Sequence, residues 1–318
     1  MSDRFTAGVH VGGGKCNAVV TDQTGEMVAH SRVDSPRGAT ALLDVIEAVT
    51  DELAVLAGDL DAVGLGIAGQ LDLSGRMAFS PNLDLGDLPL QRLLEERLSA
   101  PVVIDNDANL VAMAELEWGV AKDVGDAVLI TLGTGFGNSL IIDGKVRRGA
   151  YGMAGELGHT MVDPSGPSCT CGSHGCLEVY ASGRGLTSMA QKAARAGLAP
   201  GLVTFAGGDP DNVTTEHVLR AARGGDEGAT RVLEQFAFWI SVGLSNTVAL
   251  LDPEMVIVGG PLAADWDALG GHVRGHLENL VLAGQYRPPL RIEPTALGER
   301  GGALGAALLA RRVADAAS

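Results

Sequence analysis

FTAGVHVGGGKCNAVVTDQTG, residues 5–25, reads as strand, glycine turn, strand and turn. Val9 and Val11 are apolar before the glycines, and Ala18, Val19 and Val20 resume the run after them. AVLITLGTGFGNSLIIDGKV, residues 127–146, repeats the same order of strand, glycine turn and strand. The echo predicts two related α/β halves facing a cleft. A chain of 318 residues is long enough for two cores of its own.

The intervening sequence fills in the halves. ALLDVIEAVTDELAVLA, residues 41–57, places Leu42, Ile46, Val49, Leu53 and Leu56 on one helical face. AVGLGIAGQLDL, residues 62–73, reads as a buried strand running into a turn. A short helix is expected around Leu90 to Leu98. PVVIDND, residues 101–107, is a strand with polar residues at its end, and Ala108 to Trp118 is helical. Further helices are predicted at 183–196, 214–223 and 226–250, the last one long, with Phe236, Trp239, Ile240 and Leu244 in the core. Met153 and Met161 are also expected in the core. MVIVGGPLA, residues 255–263, is a strand ending in two glycines, and Gly301 to Val313 is helical.

Composition narrows the class. Hydrophobic residues are 46% and charged residues 19%, a globular balance, and the 45 glycines fall in short clusters between apolar runs. The net charge of -16 repels a phosphate backbone, so neither nucleic acid nor an anionic membrane is expected as a partner. No segment reads as a signal peptide or a membrane span, and the expected compartment is the cytoplasm. Of four cysteines, three fall between Cys169 and Cys176, a clustering that in a reducing compartment favours metal over disulfides.

His159, Cys169, Cys171 and Cys176 follow the order His-x9-Cys-x-Cys-x4-Cys. Three thiolates and an imidazole make a closed tetrahedral zinc site, structural because no position stays open. His174 competes for the fourth place, and the alternative is three reduced cysteines beside an unrelated histidine. In IDNDAN, residues 104–109, Asp107 stands at a strand's end, where a carboxylate can take a proton from a hydroxyl and the Asn106 amide can orient that hydroxyl. The other reading makes Asp107 the N-cap of the following helix. Three glycine clusters, at Gly12–Gly14, Gly133–Gly137 and Gly259–Gly260, follow β runs and can cradle phosphate through bare backbone N–H groups. Singly, each would be a tight turn. The first is no Walker loop, since Cys16 stands in the Ser/Thr place. Gly64-Leu65-Gly66-Ile67-Ala68-Gly69 runs into a turn instead of a helix and is no dinucleotide fingerprint.

Taken together these stretches resemble the ROK family of bacterial sugar kinases and regulators, nearest its actinobacterial glucokinase-like members, and the resemblance runs end to end. Its most specific part is GAYGMAGELGHTMVDPSGPSCTCGSHGCLEVYASGRGL, residues 149–186, with ExGH and Cys-x-Cys-x4-Cys-x-Glu signatures. SPNL, IDNDAN, LGTGFG and MVIVGG support it. The resemblance implies an α/β, actin-like, hexokinase-type (ribonuclease H-like) fold of two domains with an interdomain cleft. The expected division is 1–118, completed by the helix at 300–314, and 119–299, carrying the zinc site. It implies Asp107 as general base toward the sugar's primary hydroxyl. Gly69, Asn82, Asn106, Glu156, His159 and Glu178 would hold the sugar. Gly12, Gly13, Lys15, Thr131, Gly133, Thr134, Gly135, Gly259 and Gly260 would hold ATP with Mg²⁺. Homodimers or homotetramers are usual by resemblance.

The chain departs from the family where kinases open with Asp-x-Gly-Gly-Thr: it reads His10-Val11-Gly12-Gly13-Gly14. Asn138 and Ser139 replace glycines after LGTGFG. These departures are expected to lie on the nucleotide side. They leave two functions: a hexose kinase that tolerates His10, its magnesium held by the phosphates themselves, or a sugar-binding pseudokinase acting as sensor or scaffold. The kinase could equally serve an amino sugar or a cyclitol. A DNA-binding regulator is disfavoured, since no helix-turn-helix segment precedes the kinase-like region.

Overall fold

The first strand–glycine–strand run forms a hairpin in the computed structural model, which describes residues 4–317. β1 (Phe5–Val11) and β2 (Lys15–Thr21) are antiparallel, His10 opposite Asn17, and β2 pairs onward with β3 (Met27–Asp34). Helix α1 (Ala39–Ala57) leads to β4 (Leu60–Ile67), parallel to β1. A small antiparallel sheet follows, made of β5 (Gln70–Leu71), β6 (Met77–Ser80) and β7 (Leu85–Leu88). After α2 (Leu90–Glu95) come β8 (Val102–Asn106) and α3 (Asp107–Trp118). The main sheet has the order β3-β2-β1-β4-β8.

The second run repeats that plan. β9 (Ala127–Leu132), β10 (Phe136–Ile142) and β11 (Lys145–Val146) precede helices α4 (Glu178–Ala181), α5 (Gly183–Arg195), α6 (Pro200–Phe205), α7 (Thr215–Arg223) and α8 (Glu227–Leu251). Then follow β12 (Met255–Gly259), α9 (Trp266–Leu280), β13 (Arg291–Pro294) and α10 (Gly301–Ala317). The sheet order is β11-β10-β9-β12-β13, the first sheet's order with each strand replaced by its counterpart. β9, β12 and β13 are mutually parallel neighbours, as β1, β4 and β8 are. The echo in the sequence is thus a repeated topology.

The chain divides into two compact units. One comprises residues through Gly125, Ser139–Gly155 and everything from Thr295; the other comprises Asp126–Asn138 and Glu156–Pro294. In the first unit α10 packs on β1 and β4 with almost no side chain between. A Cβ at Gly8 would fall 2.0 Å from the Ala303 carbonyl oxygen, and one at Gly64 2.0 Å from that of Ala306. Alanines 303, 306, 307 and 310 complete this tight seam. Glu115, fully buried on α3, accepts the N–H groups of Val120, Ala296 and Leu297, and so fixes the start of this C-terminal segment.

Several expectations change in detail. Leu56 is 63% exposed, the last turn of α1 packing Ala57 on the core instead, whereas Leu42, Ile46, Val49 and Leu53 are buried. Met153 and Met161 are 38% and 51% exposed, standing on loops with no layer above them. Trp239 is half-buried and stacks on Tyr180, ring centroids 4.1 Å apart, while Phe236, Ile240 and Leu244 are core. β3, β13 and α9 had no expectation; β3 alternates half-buried and exposed residues as an edge strand does. Among the described residues no helix is long and apolar enough to cross a membrane.

Because the seam at Gly64 is backbone against backbone, Gly64→Ala is expected to destabilise the protein by about 1–3 kcal/mol. A urea unfolding midpoint measures it; an unchanged midpoint would show that α10 can shift without cost.

Candidate active site and metal centre

The second unit carries a loop folded around four potential ligands. Chain segments near 161 and 176 and near 168 and 174 meet through isolated antiparallel bridges, Met161 with Cys176 and Ser168 with His174. Gly175, at φ +61°, has the Asp163 carbonyl oxygen 1.6 Å from where a Cβ would lie, so only glycine closes this turn. The Tyr180 hydroxyl donates to Asp163 Oδ2 at 2.7 Å and anchors the loop to α4. That hydrogen bond also holds the Asp163 carboxyl below its usual range.

This scaffold brings the Sγ atoms of Cys169, Cys171 and Cys176 and a ring nitrogen of His159 within 4.8 Å of one another. Cys171 Sγ and Cys176 Sγ are 3.7 Å apart, and Cys169 Sγ is 3.6 Å from His159 Nδ1. A tetrahedron with metal–sulfur bonds of about 2.3 Å has edges of about 3.8 Å, so the spacing suits a tetrahedral metal. Burial pushes the Cys176 thiol up to about 12, reinforced by hydrogen bonding and charge from Cys171 and Cys169. Three thiolates crowded this closely would need a cation to hold them deprotonated. His174, the competing ligand, lies outside the cluster on the bridge with Ser168.

His159 faces two ways. With Nδ1 toward the sulfurs, its Nε2 lies 4.0 Å from Glu156 Oε2. Both residues belong to a 3₁₀ turn, Leu157–His159 with Glu156 as its cap. The turn is held by Asn138, whose Oδ1 accepts the Leu157 N–H at 2.6 Å. Asn138 therefore supports the Glu156–His159 turn, a correction to its expected place on the nucleotide side. Ser139 is likewise structural: fully buried, it donates from Oγ to Asn109 Oδ1 at 2.7 Å.

Glu178 opens α4, and its Oε2 accepts the Phe136 N–H at 2.9 Å, in the turn that contains Gly133, Thr134 and Gly135. Arg184, which the sequence did not single out, lies on the same turn. Its Nε donates to the Thr134 carbonyl at 3.1 Å, and a terminal nitrogen is 3.5 Å from Glu178 Oε1. Thr131 is the penultimate residue of β9, just ahead of this turn, and β12 runs beside it with Gly259 opposite Thr131. Gly260 (φ +84°) turns against Leu132, its missing Cβ 2.6 Å from that carbonyl oxygen. Two of the three glycine clusters thus adjoin one another.

The third cluster belongs to the first unit. Gly13 and Gly14 border open space, and Lys15 is ion-paired with Asp34 at the surface. Nearby, Asn106 is the N-cap of α3: its Oδ1 accepts from Ala108 N and Asn109 N, while its Nδ2 donates to the Gly69 carbonyl at 3.1 Å. The cap expected of Asp107 is supplied by its neighbour. Asp107 holds the Ala108 N–H with Oδ1 at 2.9 Å and turns Oδ2 toward His10 Nε2, 3.8 Å away. Gly69, at φ +140°, has Phe79 O and Ser80 Cβ 2.8 Å from its Cβ position, so it packs on the end of β6, which leads into the β6–β7 turn carrying Asn82. Behind this row, buried Asp105 pairs with Arg148 and accepts from Asn109 Nδ2.

Metal analysis is expected to return about one zinc per chain. Because binding displaces protons from the thiols, affinity falls as pH is lowered, and chelation or Cys171→Ser lowers the thermal midpoint. A metal-free preparation with an undiminished midpoint would contradict a structural site.

The sequence profile of the ROK family matches residues 6–313. The glucokinase of Streptomyces coelicolor is 37% identical over 310 residues, covering 96% of this chain and 98% of that protein. The crystal structure of a Streptomyces griseus ROK glucokinase with glucose and AMPPNP superimposes with a TM-score of 0.88 at 37% identity, covering 97% of this chain and 99% of that one. The xylose repressor of Bacillus subtilis is 27% identical over 306 residues, which cover 95% of this chain and 75% of the repressor. The actin-like, hexokinase-type α/β fold and the match over nearly the whole length agree: the chain belongs to the ROK family.

Proposed function

We propose that the protein is an ATP-dependent sugar kinase acting on the primary hydroxyl of glucose or a glucose-like hexose. The observation that carries this reading is the placement of Asp107. It stands directly after the C-terminal end of β8, the parallel edge strand beside β4, 27% exposed, with one oxygen anchored to the helix it begins and the other turned outward toward His10. Strand ends of this kind are where open α/β sheets bind ligands.

In this reading Asp107 Oδ2 takes the proton from the sugar hydroxyl as its oxygen forms the new bond to the γ-phosphorus. The bond from that phosphorus to the bridging oxygen breaks, and ADP leaves with the electron pair. Asn106, Asn82 and the close approach allowed at Gly69 would seat the sugar, and Glu156, His159 and Glu178 would bind its other hydroxyls. A neutral polyol is well matched by such carboxylate, amide and imidazole groups. The turn of Gly133, Thr134 and Gly135, with Gly259 and Gly260 beside it, offers backbone N–H groups to the nucleotide's phosphates; Gly12, Gly13 and Lys15 would add to them. Zinc held by His159, Cys169, Cys171 and Cys176 would stiffen the loop and take no part in transfer. Around the first glycine turn the side chains are an imidazole and an ammonium already paired with Asp34, which do not suit magnesium. Magnesium is therefore assigned no ligand there; it would arrive bound to the nucleotide.

A second reading, a sugar-binding protein without transfer activity, is favoured by His10 and Gly14, and the similarity to xylose repressors keeps it in view. A coupled ADP-release assay with glucose, amino sugars and cyclitols separates the two. Glucose-dependent turnover is expected, and Asp107→Asn is expected to reduce it at least about 100-fold while glucose affinity stays nearly constant. Sugar binding with no turnover on any of these substrates would establish the second reading instead.

A further inference from the structure

His10 is bordered by four elements of the first unit, and the last two contacts constrain its ring. Along β1 it sits between Asn17 of β2 and Gly66 of β4. Its Nδ1 is buried with no hydrogen-bond partner, facing the first turn of α10. There the ring's Cγ and Nδ1 lie 2.7 and 2.8 Å from the Cβ position that Gly302 lacks, so any side chain at 302 would collide with the imidazole. Its Nε2 is 3.8 Å from Asp107 Oδ2. The side chain is 18% exposed.

These contacts choose between tautomers. A proton on Nδ1 would be a buried donor with no acceptor, pointed at the end of α10 where backbone N–H groups and the positive end of the dipole gather. It would also leave the Nε2 lone pair facing a carboxylate oxygen. A proton on Nε2 eases both conflicts: the unpartnered Nδ1 then turns a lone pair, not a proton, to the positive helix end, and Nε2–H faces Asp107. From this geometry we infer that His10 is a positioning residue for Asp107, held as the Nε2–H tautomer by α10 with its N–H directed at Oδ2 across 3.8 Å, an electrostatic contact longer than a hydrogen bond.

The proposal rests on the kinase reading for its consequence and on the geometry alone for the tautomer. With Oδ1 tied to Ala108 N–H and Oδ2 steered by His10, the carboxylate is fixed in rotation, so its remaining lone pair keeps one direction toward a substrate hydroxyl. His10 touches no reacting atom in this scheme and takes no proton from Asp107, because its Nε2 already carries one. The substitution at the head of the first glycine turn is then a change in how the base is oriented, and Gly302 belongs to the same device.

The tautomer is read by ¹⁵N NMR of histidine-labelled full-length protein, with the His10 signals assigned by their loss in His10→Gln. A protonated Nε2 with an unprotonated Nδ1 is expected; an Nδ1–H tautomer or a doubly protonated ring at neutral pH overturns the inference. In kinetics, His10→Leu is expected to lower kcat about tenfold with the glucose KM changed less than about twofold. His10→Gln, whose amide N–H2 reaches the same place, should recover most of the loss. Gly302→Ala should mimic His10→Leu by displacing the ring. Equal loss in Leu and Gln variants that melt like the wild type contradicts the positioning role. Should the wild-type protein show no transfer, the kinase reading fails, and the NMR measurement still decides the tautomer.

Discussion

Three cysteine sulfurs and an imidazole nitrogen within 4.8 Å cannot all carry their ligand protonation states without a cation among them. This constraint organises the second unit. The loop reaches the geometry through a glycine that no other residue can replace, at position 175, and through the Tyr180–Asp163 hydrogen bond. Tyr180 in turn stacks on Trp239 of the long helix α8, which ties the loop to the core of that unit. His159 is the hinge of the arrangement, because the ring that turns Nδ1 to the sulfurs necessarily turns Nε2 to Glu156. A metal on one nitrogen sets the orientation and the tautomer of the other.

The first unit uses a different device for the same purpose. Asn106 spends its carbonyl on the cap of α3 and its amide on the Gly69 carbonyl, so it joins the end of β8 to the loop after β4. Asp107, relieved of the cap, presents a carboxylate at the strand end. Asp105 lies beneath, buried against Arg148 and Asn109, and Ser139 completes that chain of hydrogen bonds. In both units a polar group proposed to meet the sugar is fixed by hydrogen bonds within its own unit. Fixed geometry of this kind favours recognition of a rigid, neutral, hydroxyl-rich ligand.

Much of this was legible in the sequence, because the signals were local. The strand–glycine–strand repeat at residues 5–25 and 127–146 gave the repeated sheet order, and the spacing from His159 to Cys176 gave the ligand cluster. The apolar periodicity of residues 41–57 located α1 to within two residues. What escaped was decided by distant partners. Asn138 acts on Leu157, Glu178 on Phe136, and Glu115 on Ala296 and Leu297, and no spacing rule connects such pairs. β3 escaped because an edge strand with one face in water carries as many polar residues as apolar ones. Whether Asn106 or Asp107 caps α3 turned on one residue of helix register, the least readable quantity in a sequence.

The central claim is that the metal loop and sugar recognition are one mechanical unit, joined through His159. Calorimetric titration of glucose into metal-loaded and metal-stripped protein, at a temperature where circular dichroism shows both folded, tests it directly. The account predicts that stripping weakens glucose binding at least about tenfold, on the scale seen when the support of an oriented ligand is lost. Equal affinity in the two forms would mean that the metal stabilises its own loop and nothing more.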